Sequence, residues 1–171
     1  MSTKGTPASG LTLQVGEPIP SIGLRATDGY LLNLRTFVGK QPVAILFFAG
    51  PTVSGKARAL GDALAAALAE AIPRLHAAGI SVVGVTCDSD RQQTEYAAAH
   101  TLPFLLMSDE RRVAVEALGI RVAETAGSWN VAPPVLIGVD EAGTVRGIFK
   151  DPDPRLMAAT ILEIFREPLP A

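Results

Sequence analysis

The chain has one thiol, that of Cys87, which follows the apolar run Ser81–Thr86. A free cysteine in such a place is typical of a small, buried core residue. A reactive thiolate would need a nearby cation or a helix N-terminus, and the adjacent Asp88 has the opposite charge. A single cysteine also excludes a disulfide within the chain and a two-thiol redox cycle. We therefore predict that Cys87 is buried and reacts slowly.

The segment from Gly50 to Lys56 matches the phosphate-binding pattern Gly-x-x-x-x-Gly-Lys. It lies between a predicted strand and a predicted helix, and a second predicted strand ends at Asp88, an acid that could bind a metal ion. Ala57 argues against this function, because Ser or Thr should follow the lysine and bind Mg²⁺. Nucleotide binding through the loop stays open as an alternative. Lys56, at the N-terminus of the helix, is a candidate anion-binding residue.

The one tryptophan, Trp129, lies in the segment Gly127–Asn130, which we interpret as a loop. Tryptophan is enriched in the hot spots of interfaces, so Trp129 is a candidate binding residue. The alternative is that it covers the edge of the core. His76 and His100 have no cysteine or acid at metal-ligand spacing, so we predict no metal site and no cofactor.

The hydrophobic content of the chain indicates a folded domain. Its weak net charge argues against a strongly charged binding partner. The chain has 171 residues, of which 48% are hydrophobic, and a formal net charge of −2. We predict a flexible lead-in over residues 1–12 and a single domain over residues 13–171. The weak net charge argues against nucleic acid or an anionic membrane as partners. Neither a secretory signal nor an apolar run of about 20 residues is visible, so we expect a cytoplasmic protein.

Periodicity predicts alternating strands and helices. Asp28-Gly29 predicts a hairpin turn, and Pro73 is expected to kink or split a long helix whose buried face carries Leu60, Leu64, Leu68, Ile72 and Leu75. Asp109 and Asp153 are expected to cap the helices that follow them. The remaining predicted elements are strands at 43–48, 81–86 and 104–107, helices at 91–100, 109–118 and 155–166, and a hairpin of 135–139 with 144–149. This order predicts a mixed sheet with helices on both faces.

Five short motifs in this order resemble the peroxiredoxins of the alkyl hydroperoxide reductase / thiol-specific antioxidant family. They cover roughly residues 11–150 and are the segments 15–20, 28–40, 83–89, 102–120 and 135–143. The resemblance implies a thioredoxin-like, peroxiredoxin-type α/β fold. Such a fold has three layers, α/β/α, with a mixed central sheet and an N-terminal hairpin.

The same resemblance locates the family's catalytic groups and shows that they are missing here. The family motif Pro-x-x-x-Thr-x-x-Cys falls on Gly50, Ser54 and Ala57, and the arginine that supports the reactive thiolate falls on Pro134. Only the hydroxyl of Ser54 resembles what the motif requires. The resemblance also implies a cis proline within Ala132–Val135, facing this loop. We therefore name no catalytic residue and expect that peroxidase activity has been lost.

Two roles for the remaining scaffold follow from these observations. The first is a binding or interaction module that uses Lys56, Trp129, Pro133 and Pro134, either in a homo-oligomer or with a larger protein partner. The alternative is a thiol-dependent peroxidase or other redox enzyme. That alternative requires either a cysteine at position 57 in the native sequence or the use of Cys87.

Overall fold

The apolar run predicted as a covered strand forms β3 (Val43–Phe47), and every residue of β3 is buried. The computed structural model describes residues 11–37, 40–125 and 127–166. In β3, Ala44 and Leu46 pack on one side of the sheet, and Val43, Ile45 and Phe47 pack on the other. This alternation, which arises because successive strand residues point to opposite faces, places apolar side chains in two separate cores.

The central sheet has seven strands and is mixed, as the sequence predicted. Its order is β2-β1-β5-β4-β3-β8-β9, and a separate two-stranded sheet pairs β6 with β7. The strand β3 runs parallel to β4 and antiparallel to β8. The other strands are β1 Gly23–Ala26, β2 Leu31–Asn33, β4 Ser81–Thr86, β5 Leu105–Ser108, β6 Val122–Thr125, β7 Ser128–Val131, β8 Val135–Val139 and β9 Val145–Lys150.

Helices cover both faces of this sheet and complete the predicted three layers. The helices are α1 Leu34–Phe37, α2 Gly55–Ala77, α3 Asp90–Ala99, α4 Val113–Leu118 and α5 Met157–Arg166. One core contains buried side chains of α2, α3 and α5, and the other contains those of α4 and of β7. Each fully buried Leu, Ile or Phe side chain contributes roughly 1.5–3 kcal/mol to stability.

The long helix α2 differs from the prediction in two respects. It runs from Gly55 to Ala77 without interruption at Pro73. Pro73 is exposed, and its buried neighbours Ile72 and Leu75 hold the helix against the sheet. Leu60, predicted on the buried face, is 38% exposed. Packing of the apolar face therefore outweighs the loss of one backbone donor.

A hairpin of β6 and β7 occupies the segment that was interpreted as a loop. The strands pair antiparallel, with Trp129 opposite Glu124. Both strands are short and largely polar, so their sequence carries no apolar alternation that would predict them. The hairpin is nevertheless attached to the core through the buried residues Asn130 and Val131.

The N-terminal segment and the helix caps at Asp109 and Asp153 agree in part with the sequence analysis. Residues 1–10 lie outside the described residues. Thr12 is not free, because its backbone N–H donates to the carbonyl of Leu118 at 3.1 Å. The carboxylate of Asp109 accepts from the N–H groups of Ala114 and Val115, although α4 begins later than predicted. Asp153 accepts from the N–H of Arg155 at the start of a 3-10 turn before α5, which confirms that cap.

Candidate functional site

A small apolar hollow lies where the first turn of α2 meets the segment before β8. It has a volume of about 120 Å³, and Ala57, Pro133 and Pro134 contribute to its wall. The rest of the wall is formed by Phe48, Ala49, Leu60, Gly61, Leu64, Val131, Ala132 and Asp151. Among the described residues, this wall contains neither a thiol nor a cationic side chain. The structure thus brings Ala57 and Pro134 together, and neither supplies a reactive or positively charged group.

The helix reaches this position because Gly61 allows a close approach to the end of β3. A Cβ atom on Gly61 would lie 2.2 Å from the carbonyl oxygen of Ala49. Any larger side chain would push the first turns of α2, which include Ala57, away from the sheet. Gly61 therefore sets the width of the hollow.

The cis peptide bond lies before Pro133, within the segment where the resemblance implied one. It is one residue earlier than Pro134, the position that was compared with the family's arginine. The carbonyl of Pro134 accepts a hydrogen bond from the N–H of Asp151 at 2.9 Å. Pro134 therefore has a structural contact of its own with the end of β9, in addition to lining the hollow.

A buried polar network joins the loop before α2 to the hairpin of β6 and β7. The carboxylate of Asp88 accepts from the backbone N–H of Thr52 at 3.0 Å and from the side-chain amide of Asn130 at 3.1 Å. The same amide also donates to the hydroxyl of Thr52. In return, the Asn130 side-chain oxygen accepts from the backbone N–H groups of Cys87 and Val131. Asn130 therefore ties three chain segments together.

Sequence reasoning did not identify Asn130, because its partners are distant along the chain. It lies 42 residues from Asp88 and 78 from Thr52. A single asparagine beside a tryptophan carries no local signal for such contacts. Its importance follows only from its burial, since a buried amide needs hydrogen-bond partners.

Gly50 permits this network by leaving room for the Asp88 carboxylate. A Cβ atom on Gly50 would lie 1.9 Å from Oδ2 of Asp88 and 3.0 Å from Cβ of Thr86. The glycine found where the family motif has proline thus leaves the space that the Asp88 carboxylate occupies. A side chain at position 50 would displace the carboxylate from the loop.

These contacts argue against the phosphate-binding alternative. Such a loop holds phosphate with free backbone N–H groups, but the N–H of Thr52 is bonded to Asp88 and that of Val53 to the carbonyl of Gly50. The acid proposed for a metal ion is also engaged with protein donors. Ser54 precedes α2 without forming a side-chain cap, and it is exposed, as is Lys56.

Cys87 is buried, as the sequence predicted, and it is not part of the wall of the hollow. Burial raises the pKa of its thiol to about 12, and the negative charges of Asp109 and Asp88 act in the same direction. Arg112 opposes them with a smaller effect. The thiol is therefore protonated at neutral pH.

Trp129 lies on β7, not in a loop, and is 46% exposed, so it does not cover the core. The guanidinium carbon of Arg112 lies 5.9 Å from the centre of its ring. Since adjacent strand residues point to opposite faces, Trp129 points away from the side on which Asn130 reaches the loop. Trp129 is also absent from the wall of the hollow. Trp129 therefore does not share the hollow with Ala57, Pro133 and Pro134.

The described ranges contain neither a membrane-spanning helix nor a metal-binding cluster. No helix there combines the length and the apolar character needed to cross a membrane. No cluster of three or more His, Cys, Asp or Glu side chains in the same ranges is arranged to hold a metal ion.

Comparison with known proteins identifies relatives of the whole domain. A protein-family model described as Redoxin matches residues 14–162. Peroxiredoxin Bcp of Escherichia coli strain K12 is 27% identical over 141 residues, which is 81% of this chain and 86% of the relative. The chloroplastic peroxiredoxin Q of Populus jackii is 33% identical over 95 residues, or 56% of this chain. That match spans 42% of the chloroplastic protein, less than half its length.

Solved structures share the fold at low sequence identity. Peroxidoxin BcpB from Mycobacterium tuberculosis has a TM-score of 0.75 at 16% identity, covering 90% of this chain and 97% of that chain. Thiol peroxidase from Chromobacterium violaceum has a TM-score of 0.67 at 21% identity, covering 88% and 87%. The fold of the chain is therefore the thioredoxin-like fold of these proteins, as the motifs implied.

Proposed function

Since the chain belongs to the redoxin family, we propose that it is a member that has lost thiol peroxidase activity and acts as a binding or interaction module. The observation that carries the proposal is the residue at the start of α2. Ala57 lies beside the cis proline Pro133 and next to Pro134, in a hollow whose described wall has no thiol and no cation. The scaffold of the family is present without the groups that the chemistry needs.

Peroxide reduction by a redoxin requires a thiolate, because the nucleophile must be both ionised and soft. The methyl group of Ala57 offers no lone pair to attack an oxygen atom. The sole thiol does not replace it, because a pKa of about 12 leaves Cys87 almost entirely protonated at neutral pH.

The alternative is a thiol-dependent peroxidase, and the names of the relatives favour it. Two of these relatives are named peroxiredoxin Bcp and peroxiredoxin Q. This function would need either a cysteine at position 57 in the native sequence or chemistry at Cys87. The burial of Cys87 and the acids beside it argue against the second route.

Steady-state turnover separates these two functions. The purified chain is given hydrogen peroxide or an alkyl hydroperoxide together with a thiol donor, and peroxide loss is followed. We expect no acceleration by the wild-type chain or by Cys87→Ala. Turnover above background by the wild-type chain would overturn the proposal, and its loss in Cys87→Ala would assign the chemistry to Cys87.

Substitution at the hollow gives a matched test of the missing groups. Ala57→Cys restores a thiol but leaves Pro134 without charge, so we expect little activity from it. Ala57→Cys combined with Pro134→Arg supplies both groups and is expected to be the more active variant. Equal activity of the two variants would show that the cation is not what the site lacks.

A further inference from the structure

An aromatic ring, a cation and an acid lie side by side where the hairpin of β6 and β7 meets the start of α4. Trp129 is 46% exposed, and the guanidinium carbon of Arg112 lies 5.9 Å from the centre of its ring. Glu124, which is exposed, is the residue directly opposite Trp129 across the hairpin. Opposite residues of an antiparallel pair point to the same face, with Cβ atoms about 4.5–5.5 Å apart. Arg112 and Glu124 are therefore both neighbours of the indole, and we call these three residues the Trp129 patch.

The described part of the chain neutralises neither charge of the Trp129 patch. Its ion pairs include neither Arg112 nor Glu124. Asp109 lies in the turn before Arg112, but its carboxylate accepts from two backbone N–H groups of α4. One cation and one acid thus remain for contacts with another molecule.

The backbone on both sides of the patch is held in place. The N–H of Arg112 donates to the carbonyl of Asp109 at 2.9 Å, and the carbonyl of Arg112 accepts from the N–H of Glu116 at 3.2 Å. Next to Trp129 on β7, the buried side chain of Asn130 is bonded to the loop before α2. Binding to this surface therefore orders little additional backbone, which lowers its entropic cost.

Exposed apolar side chains also follow the patch along the chain. Val113, the residue after Arg112, is exposed and lines a groove of about 420 Å³ together with the exposed Leu31. Apolar side chains that share an exposed surface mark an interaction site more often than isolated ones do. The surface next to Arg112 is thus suited to contact with a protein.

We propose that the Trp129 patch binds a second copy of the chain in a symmetric dimer, in which Arg112 of each copy pairs with Glu124 of the other. In a two-fold interface the same surface faces itself, so each contact occurs twice with the roles exchanged. A patch that carries one cation and one acid beside a shared ring is its own complement. A purely basic or purely acidic partner would instead place a like charge against one of them. The inference names the partner of the interaction module proposed above and rests on that role.

Dimerisation also removes the indole of Trp129 from water. Tryptophan and arginine are enriched among the residues that contribute most to binding at interfaces. The formal net charge of −2 adds only weak repulsion between two copies. The ring and the two cross-pairs are therefore expected to dominate the affinity.

A concentration series followed by sedimentation and by fluorescence tests the surface in the wild-type chain. Sedimentation is expected to show a monomer–dimer equilibrium with a dissociation constant of about 100 µM or below. Trp129 is the one tryptophan of the chain, so tryptophan emission reports on this surface alone. The emission is expected to move to shorter wavelength with the same midpoint. A chain that stays monomeric, or a dimer that forms without a change in emission, would overturn the proposal.

Charge reversal tests the cross-pairing. Arg112→Glu and Glu124→Arg are each expected to weaken dimerisation about tenfold or more, because each places like charges together at both symmetric contacts. An equimolar mixture of the two variants is expected to form a heterodimer within about fivefold of the wild-type affinity. In that heterodimer, opposite charges again meet at both contacts.

Recovery of dimerisation on mixing is a result that misfolded variants cannot give. Two folded variants that fail to recover on mixing, or that each dimerise as the wild type does, would refute the pairing. The fluorescence result for the wild-type chain decides the location even if a variant does not fold. Arg74→Glu is the matched control, since this exposed cation lies on α2, whose buried face packs in the other core. It should dimerise as the wild type does.

The outcomes remain separable from those of the proposed loss of activity. Peroxide turnover by the wild-type chain would overturn the proposed function, whatever its state of association. A monomeric chain would overturn only the present inference, and the turnover result would stand.

Discussion

Gly50 shows how one missing methyl group determines what the loop before α2 can do. The absence of a side chain lets the Asp88 carboxylate lie under the loop, where it accepts from the N–H of Thr52. Because of this contact, the N–H of Thr52 is not available to bind a ligand at the loop. The glycine that departs from the family motif at position 50 is therefore required by a buried acid, Asp88, which follows the neighbouring strand β4.

Gly50→Ala is expected to destabilise the fold by at least about 2 kcal/mol, because the new Cβ overlaps Asp88 and must displace it. Chemical denaturation measures the change. Gly23→Ala is the matched control, since its Cβ would lie 3.8 Å from the nearest atom, on Leu31, an ordinary contact. Equal stability of the two variants would show that Asp88 can move without cost.

Because of Cys87, the free energy of unfolding is expected to fall as the pH rises above about 9. The pKa of Cys87 rises from an ordinary value of 9.0 to about 12 in the fold, mainly because the thiol is buried. The unfolded thiol therefore ionises first, so the contribution of the thiol is fully present below about pH 9 and is lost as the pH rises toward 12. Cys87→Ala removes this dependence.

The measurement is the free energy of unfolding of both chains between pH 7 and pH 11. The difference between wild type and Cys87→Ala should be constant up to about pH 9 and then shift against the wild type. A difference that stays constant over the whole range would contradict the burial of the thiol.

At the scale of elements, the sequence predicted the strands and turns that have a local pattern. It did not predict the elements that depend on contacts between residues distant in sequence. The apolar run of β3 and the Asp-Gly turn between β1 and β2 are local signals, and both elements formed. The hairpin of β6 and β7 has no such pattern, and it depends on Asn130, whose partners lie far away in sequence. For the same reason, the sequence did not predict the hollow beside Ala57, and only the family motif pointed to positions 57 and 134.

Asn130→Ala is expected to loosen the hairpin and the loop before α2 together, since one side chain holds both. The variant removes one of the donors to the carboxylate of Asp88 and leaves the N–H of Cys87 without its acceptor, which costs about 2–4 kcal/mol. Hydrogen exchange should show faster exchange at the N–H of Thr52 and of Val131.

Ser128→Ala is the matched control on the same strand, because no side-chain hydrogen bond is found for Ser128 in the described residues. It is expected to leave exchange at Thr52 unchanged. If Asn130→Ala also leaves Thr52 protected, the network does not hold the loop.

At the scale of the whole molecule, the family fold is present without a cysteine at position 57. The family scaffold holds its sheet, its helices and its cis proline, while Ala57 stands at the start of α2. Trp129 offers a second exposed feature, outside the wall of the hollow, with Arg112 against its ring. Since Trp and Arg are enriched in interface hot spots, this face is where we expect a partner or a second copy to bind.

Trp129→Ala is therefore expected to weaken self-association or partner capture by about 2 kcal/mol or more. Sedimentation across a concentration series measures self-association. Phe149→Ala, which removes another partly exposed aromatic side chain, is the matched control. A chain that stays monomeric at high concentration and loses no captured protein on Trp129→Ala would rule out an interface at this face.

The second-order rate constant for oxidation of the single thiol by hydrogen peroxide tests the central claim most directly. It needs no thiol donor and reports on the one thiol of the chain. At neutral pH, the native chain is expected to react no faster than the same chain in denaturant, because the fold raises the pKa of Cys87 to about 12 and buries it. A native rate about tenfold or more above the unfolded rate would show an activated thiolate and contradict the loss of peroxidase chemistry.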